Sequence, residues 1–198
     1  MTTHGIRRAT PSDTTAVADL IGDAFQQLGV SVWLVPDPEQ RARILPRNFE
    51  IFVDYGVTHG TVEIAGDFQG ASVWLPLDGE PLPPPENYDT RLAEVCGEWT
   101  ENFLHLDQLF EDHHPHAPHH HLAFMAVRPD QQNQRIGSAL LEHYHQRLDE
   151  TGTAAFLEAS STGSRDLYER HGYEPLGEPY AVPNGALFYP MWREPRVR

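Results

Sequence analysis

The sequence predicts an α/β domain: a central twisted mixed sheet flanked by helices. Two observations carry this expectation. Residues 121–182 read in order as strand, loop, helix, strand, helix, strand, and their first segment, LAFMAV (122–127), is apolar without interruption. A strand buried on both faces needs that continuity, whereas a half-exposed strand alternates. Upstream, a hairpin pattern and several helical spacings supply the remaining layers. The 198 residues, 39% of them hydrophobic and 10% aromatic, suit a folded chain with one sizeable core, and the expectation is a single domain over 1–198.

The elements follow in order. Residues 5–9 form a short opening strand. Thr10-Pro11-Ser12-Asp13 supplies helix-starting oxygens, and Ala16, Val17, Leu20, Ile21, Ala24 and Phe25 recur at helical spacing. Residues 27–38 read as a loop, apolar for a loop, with Leu28, Val30, Val32, Trp33 and Leu34. Ile44, Leu45, Phe49, Phe52 and Val53 mark a second helix. TVEIA and ASVWL flank a glycine-bounded turn at 66–70, a hairpin. Residues 76–86 hold five prolines and read as a long connection inside the domain. Leu92, Val95, Trp99, Phe103, Leu106 and Phe110 then predict one long amphipathic helix ending near Asp112. After the 122–127 strand and a polar loop, Ile136, Leu140, Leu141, Tyr144 and Leu148 mark a helix stopped by Gly152. Residues 154–160 are a second apolar strand, 163–171 a short helix stopped by Gly172, and 173–182 with 186–192 a closing hairpin through Pro183-Asn184-Gly185.

Composition narrows the partners. Fourteen Lys and Arg oppose 29 Asp and Glu, a formal net charge of −15. So acidic a surface repels phosphate backbones and anionic lipid, so the expectation is no nucleic acid and no membrane, with a cationic or amine-bearing partner favoured. The single cysteine, Cys96, permits no intrachain disulfide and argues for a reducing compartment. No apolar run approaches the length needed to span a bilayer, and a cytoplasmic location is expected.

The stretch HHPHAPHHH (113–121) holds six of the twelve histidines. Two or three histidines can hold zinc or nickel, but the run lacks a cysteine or a carboxylate pattern at ligand spacing beyond Asp112, and no metal is expected. His113, His114 and His116 read as solvated loop residues. His119 and His121 alternate at the start of a strand and could share a face.

The strand, polar loop and helix at 122–148 form the arrangement that turns backbone N–H groups and a helix N-terminus toward an anion. Here the pattern Val127-x-Pro129-x-x-Gln132-x-x-x-x-Gly137-x-x-Leu140 resembles the acyl-CoA loop of the GCN5-related N-acetyltransferases (GNAT). The opening IRRATPSD and the segment Asp166-Leu167-Tyr168-Glu169-Arg170-His171-Gly172-Tyr173 are similar to that family too. Within the family, FLEAS (156–160) followed by LYER (167–170) resembles the puromycin N-acetyltransferase type. Arg135 departs from the pattern, standing where the family has its first glycine. It could block close approach to a pyrophosphate, or supply it with a guanidinium. Ser164 stands where the family often has asparagine.

The resemblance implies the GNAT fold, acetyl-CoA as co-substrate and acetyl transfer to a primary amine of a small molecule, antibiotic-like or aromatic, by direct attack in a ternary complex, with the protein a monomer or a homodimer. It puts the pantetheine arm along Met125, Ala126 and Val127 with Ser164 nearby, and the pyrophosphate on Gln132, Asn133, Gln134, Arg135, Ile136, Gly137 and Ser138. It makes Tyr168 the acid for the leaving thiolate; without it, Tyr168 reads as a core tyrosine on the inner face of its helix. Glu158 sits in an apolar strand, where a carboxylate is costly unless paired or used. It is the candidate base, or else an outward-facing glutamate. His121 matches a histidine that serves a proton path in arylalkylamine N-acetyltransferases, and could relay the proton from Glu158. Trp33, which could stack on an aromatic amine or simply cap the core, and Tyr180, beside the last hairpin, are the candidate acceptor contacts. A non-catalytic acyl-CoA-binding module and a peptide or protein N-terminal acetyltransferase are the competing readings.

Overall fold

A computed structural model of the chain describes residues 5–79 and 81–196. Among the described residues eight strands form one sheet: β1 (Ile6–Arg8), β2 (Thr61–Ala65), β3 (Gly70–Leu77), β4 (His119–Val127), β5 (Ala155–Ala159), β6 (Glu174–Pro175), β7 (Tyr180–Ala181) and β8 (Leu187–Arg193). Their order is β1-β2-β3-β4-β5-β8-β6, with β7 also on β8. Every pairing is antiparallel except β4 with β5, which is parallel. The expected mixed sheet is therefore present, and its one parallel contact lies at its centre.

The helices are α1 (Thr14–Phe25), α2 (Gly29–Leu34), α3 (Pro38–His59), α4 (Tyr88–Cys96), α5 (Thr100–His113), α6 (Ile136–Thr151) and α7 (Thr162–Arg170). α1 and α3 cover one face of the sheet, joined by α2, α4 and α5 in one apolar cluster. α6 and α7 cover the other face. Local chemistry fixes the ends. Asp37 accepts the Gln40 N–H at 2.8 Å, and Pro38 opens α3 where its missing N–H costs nothing. Where α1 crosses α3, a Cβ on Gly22 would lie 2.7 Å from Pro46 Cγ and 2.9 Å from its nitrogen, so the crossing needs glycine.

The structure corrects three expectations. The apolar loop at 27–38 contains α2, because its prolines, Pro36 and Pro38, both follow the turn instead of interrupting it and Val30 and Leu34 are buried one turn apart. The long helix expected from Leu92 to Asp112 is broken at Gly97, whose φ of +53° is left-handed, and a 3-10 turn (Gly97–Trp99) separates α4 from α5. The first arm of the closing hairpin is two short strands, β6 and β7. Gly177 at φ +79° bends the chain between them, and both still pair with β8.

Two features of β4 position the site. β4 pairs with β3 along its whole length, but with β5 only at His120↔Ala155 and His121↔Phe156. Past His121 the two strands diverge, and the β4 edge from 122 to 127 has no strand partner on that side among the described residues. Opposite Val73 and Trp74 the register slips, which makes Ala123 an extra residue on β4. Such a bulge bends a strand and re-aims its side chains.

Candidate active site

Register assigns each side chain to a face. Across β3, His119, His121, Phe124 and Ala126 oppose Leu77, Leu75, Val73 and Ala71, so all four share the α1–α3 face. Without the bulge, His121 and Phe124 would fall on opposite faces. Phe156 lies beside His121, and the period of two then puts Glu158 on the same face, while Ala155, Leu157 and Ala159 pack toward α6 and α7. Glu158 thus faces inward at the mouth of the divergence.

Its carboxylate is nearly enclosed, with 5% of the side chain exposed, and two neighbours hold it. His121 Nε2 lies 3.0 Å from Oε2. Toward a Glu158 carboxylate, which can only accept, Nε2 is the donor. The Tyr180 hydroxyl donates to Oε1 at 3.5 Å. Burial beside a carboxylate pushes the Tyr180 phenol well above its ordinary range, so it stays a donor. The Tyr180 ring stacks on His113 with centroids 3.8 Å apart. Tyr180, a candidate acceptor contact in the sequence, stands beside the carboxylate.

The histidine run divides. His113 and His116 are exposed, as expected. His114 is not solvated: its ring lies 5.0 Å from those of both His119 and His121 and 5.2 Å from Phe156, and its buried Nε2 has no hydrogen-bond partner among the described residues. Burial drives its pKa down to about 3. His119 and His121 do share a face, and His119 is fully buried. His120 points the other way, its Nδ1 2.9 Å from the Tyr144 hydroxyl. Among the described residues no group of three or more His, Cys, Asp or Glu is placed to hold a metal ion.

A cavity of about 380 Å³ runs from this carboxylate in two directions. Toward the divergence it is lined by Met125, Ala126, Val127, Gln132, Ser160, Ser161, Ser164 and Tyr168. The unpaired edge of β4 offers backbone donors and acceptors there, as a chain of amides would require. Tyr168 is buried, its hydroxyl hydrogen-bonds to no described residue, and desolvation pushes that phenol above the ordinary range, so it keeps its proton. Ser164 is partly committed: its Oγ donates to the Ser161 carbonyl at 2.9 Å and closes the N-terminal box of α7.

The polar loop then delivers the first turn of α6. Arg135 caps it in the left-handed region, φ +63°, with Asn133 at φ +63° two residues earlier. That is the backbone a glycine adopts freely. The Arg135 side chain is exposed, as are Gln132, Asn133 and Gln134. Ile136 is a core residue on Ala65 and Leu140, so it can offer a ligand only its backbone N–H. A Cβ on Gly137 would meet nothing closer than 3.5 Å, so protein packing does not demand glycine there. Ser138 Oγ lies 3.0 Å from His171 Nε2. The free N–H groups at this helix start suit an anion.

Residues 113–194 match the family model of the acetyltransferase (GNAT) domain. Among solved structures, a histone acetyltransferase HPA2 and related acetyltransferase from Corynebacterium glutamicum superposes with a TM-score of 0.75 at 25% identity, over 98% of each chain. A polyamine N-acetyltransferase of Drosophila melanogaster that forms N-acetylagmatine gives a TM-score of 0.68 at 17% identity, over 96% of this chain and 99% of that one. A mosquito arylalkylamine N-acetyltransferase-like protein gives 0.63 at 17%, over 97% and 100%. The chain has the GNAT fold. The GNAT family match takes in β4, α6, β5 and α7, hence Glu158, Tyr168, the diverging strands and the polar loop; it leaves α1 to α4 outside.

The other direction of the cavity lies largely outside that match. It is apolar, with Phe25, Leu28, Phe49, Phe52, Phe103 and Phe110 among its lining, and it contains one further carboxylate, Asp107. Asp107 accepts a hydrogen bond from the Tyr88 hydroxyl at 2.5 Å. Sequence reading missed both residues. The available signal was positional: Asp107 stands at i+4 from Phe103 and i−3 from Phe110, on the inner stripe of α5. Trp33 does not line the cavity. It packs on the α1–α3 cluster, edge-on to His105 at 5.7 Å, and its carbonyl accepts from Asn102.

Proposed function

We propose that this protein is an acetyl-CoA-dependent N-acetyltransferase acting on the primary amine of a small molecule, and that the chain is a single domain. The observation that carries the reading is the junction of two features: an inward carboxylate held by His121 and Tyr180, and a protonated phenol, Tyr168, lining the same cavity beside an unpaired strand edge. Met125, Ala126 and Val127 would hold the pantetheine arm by their backbone, and the first turn of α6 the pyrophosphate, with Arg135 adding its charge. Glu158 accepts the amine's proton, with His121 donating to and orienting it. Nitrogen then attacks the thioester carbon; the N–C bond forms, the C–S bond breaks, and the thiolate takes the proton of Tyr168. A β4 backbone N–H near the bulge serves the developing oxyanion. The relatives named for arylalkylamine and polyamine substrates support an amine acceptor, and the apolar chamber favours one with an apolar body.

The test is thiol release from acetyl-CoA over a panel of aromatic amines, alkylamines, polyamines and puromycin, with the product identified by mass. Amine-dependent release with a singly acetylated product is expected. Tight CoA binding without release on any amine would instead identify an acyl-CoA-binding module.

A further inference from the structure

We propose that Asp107 and Tyr88 form a second recognition point in the acceptor chamber, one that binds a cationic group at the end of the substrate remote from the reacting amine. The acceptor is then an elongated amine with an apolar middle and a second positive charge. This inference rests on the amine-acetyltransferase reading and names the substrate class for the same cavity.

A carboxylate on the inner stripe of a helix, facing an apolar chamber, needs a reason. Among the described residues the Asp107 carboxylate accepts one hydrogen bond, from the Tyr88 hydroxyl, at Oδ2. Oδ1 accepts from no described residue, and no Arg or His among the described residues pairs with Asp107. A tie between α4 and α5 alone would be made as well by a neutral amide. An ionised carboxylate is the costlier choice in apolar surroundings, unless a cation completes it.

The position suits the remote end of a bound molecule. From Asp107 the contacts run through the Tyr88 ring to Phe52 (5.8 Å) and on to Phe124 (5.7 Å) before reaching the strand that carries His121. Aromatic rings therefore separate the two carboxylates that line the cavity, and the cavity has no arginine in its lining. Their faces also favour a cation. At long range, the net charge of −15 draws cations toward the protein.

Matched pairs test this: diaminooctane against octylamine, and 4-(aminomethyl)phenethylamine against 4-methylphenethylamine, each pair differing only in the remote ammonium. Two readouts are taken, calorimetric Kd in the presence of CoA and kcat/KM for thiol release, on the wild type and on Asp107→Asn. A charge-assisted hydrogen bond in such a site corresponds to roughly tenfold or more in affinity. The wild type should therefore prefer each diamine by at least that factor, and the ratio should fall toward one in the variant. Equal binding within each pair by the wild type overturns the inference without any variant, as does a preference that survives in Asp107→Asn. The two readings separate cleanly. If diamines bind preferentially and no amine is acetylated, the catalytic reading falls and this one stands. If both members of each pair are acetylated equally well, the reverse holds.

Discussion

Two hydrogen bonds hold the Glu158 carboxylate in an apolar strand, one with His121 and one from Tyr180. Removing either leaves a buried carboxylate short of partners, which costs more than the bond itself contributed. Arg135 presents a different balance. Its φ of +63° is strained for a side chain with a Cβ, by roughly 1–2 kcal/mol, and glycine gives back part of that relief through its greater unfolded-state freedom. Arg135→Gly should therefore leave the fold unchanged or stabilise it by up to about 1 kcal/mol in urea unfolding, while weakening CoA binding through loss of the guanidinium. A gain in CoA affinity would mean that the arginine obstructs the loop. Glu158 was legible in the sequence because a lone carboxylate interrupts an apolar strand. Tyr168 was legible only through its motif, since an inner-face tyrosine reads equally as core. Asp107 is hidden in the sequence because the stripe at 103, 106 and 110 is satisfied without it, and Trp33 stays ambiguous there because a tryptophan near a site offers stacking as readily as packing.

Between elements, the decisive feature is the divergence of β4 from β5. Hydrophobic pattern identified both strands and their covering helices, because burial on two faces dictates composition. Pattern could not show where two parallel strands cease to pair, nor the extra residue Ala123, which aligns His121 and Phe124 on one face. Bulges depend on register, and register is a property of two segments together. The break between α4 and α5 has the same character: Leu92 to Phe110 keeps its period across Gly97, and only the left-handed backbone there ends one helix and begins the next. The histidine run is an element boundary as well. Its first member closes α5, its last three open β4, and His114 between them is folded inward.

Across the whole molecule, the acidic surface and the buried histidines act on different properties. The surface charge concerns the partner. The histidines concern stability against acid. His114 and His145 are held neutral by burial, with pKa values pushed down to about 3 from the ordinary value of 6.5. Between those limits the unfolded chain binds protons that the folded one refuses, so their contribution is fully present above about pH 6.5 and is lost as pH falls below it. Each steepens the loss toward about 1.4 kcal/mol per pH unit once the unfolded imidazole is fully protonated. The raised carboxyls of Glu63 and Asp107 act in the opposite sense, nearer the carboxylate range. Urea unfolding from pH 7.5 to 5.5 should show falling stability, and His145→Gln should flatten that slope; parallel curves would show that His145 already takes up its proton in the folded state. The catalytic claim, which joins both halves of the molecule at one carboxylate, is tested most directly by thiol release from acetyl-CoA with the best amine of the panel, wild type against Glu158→Gln. General-base catalysis predicts a fall in kcat of roughly a hundredfold or more at neutral pH with CoA binding retained. Equal rates for the two proteins would contradict it.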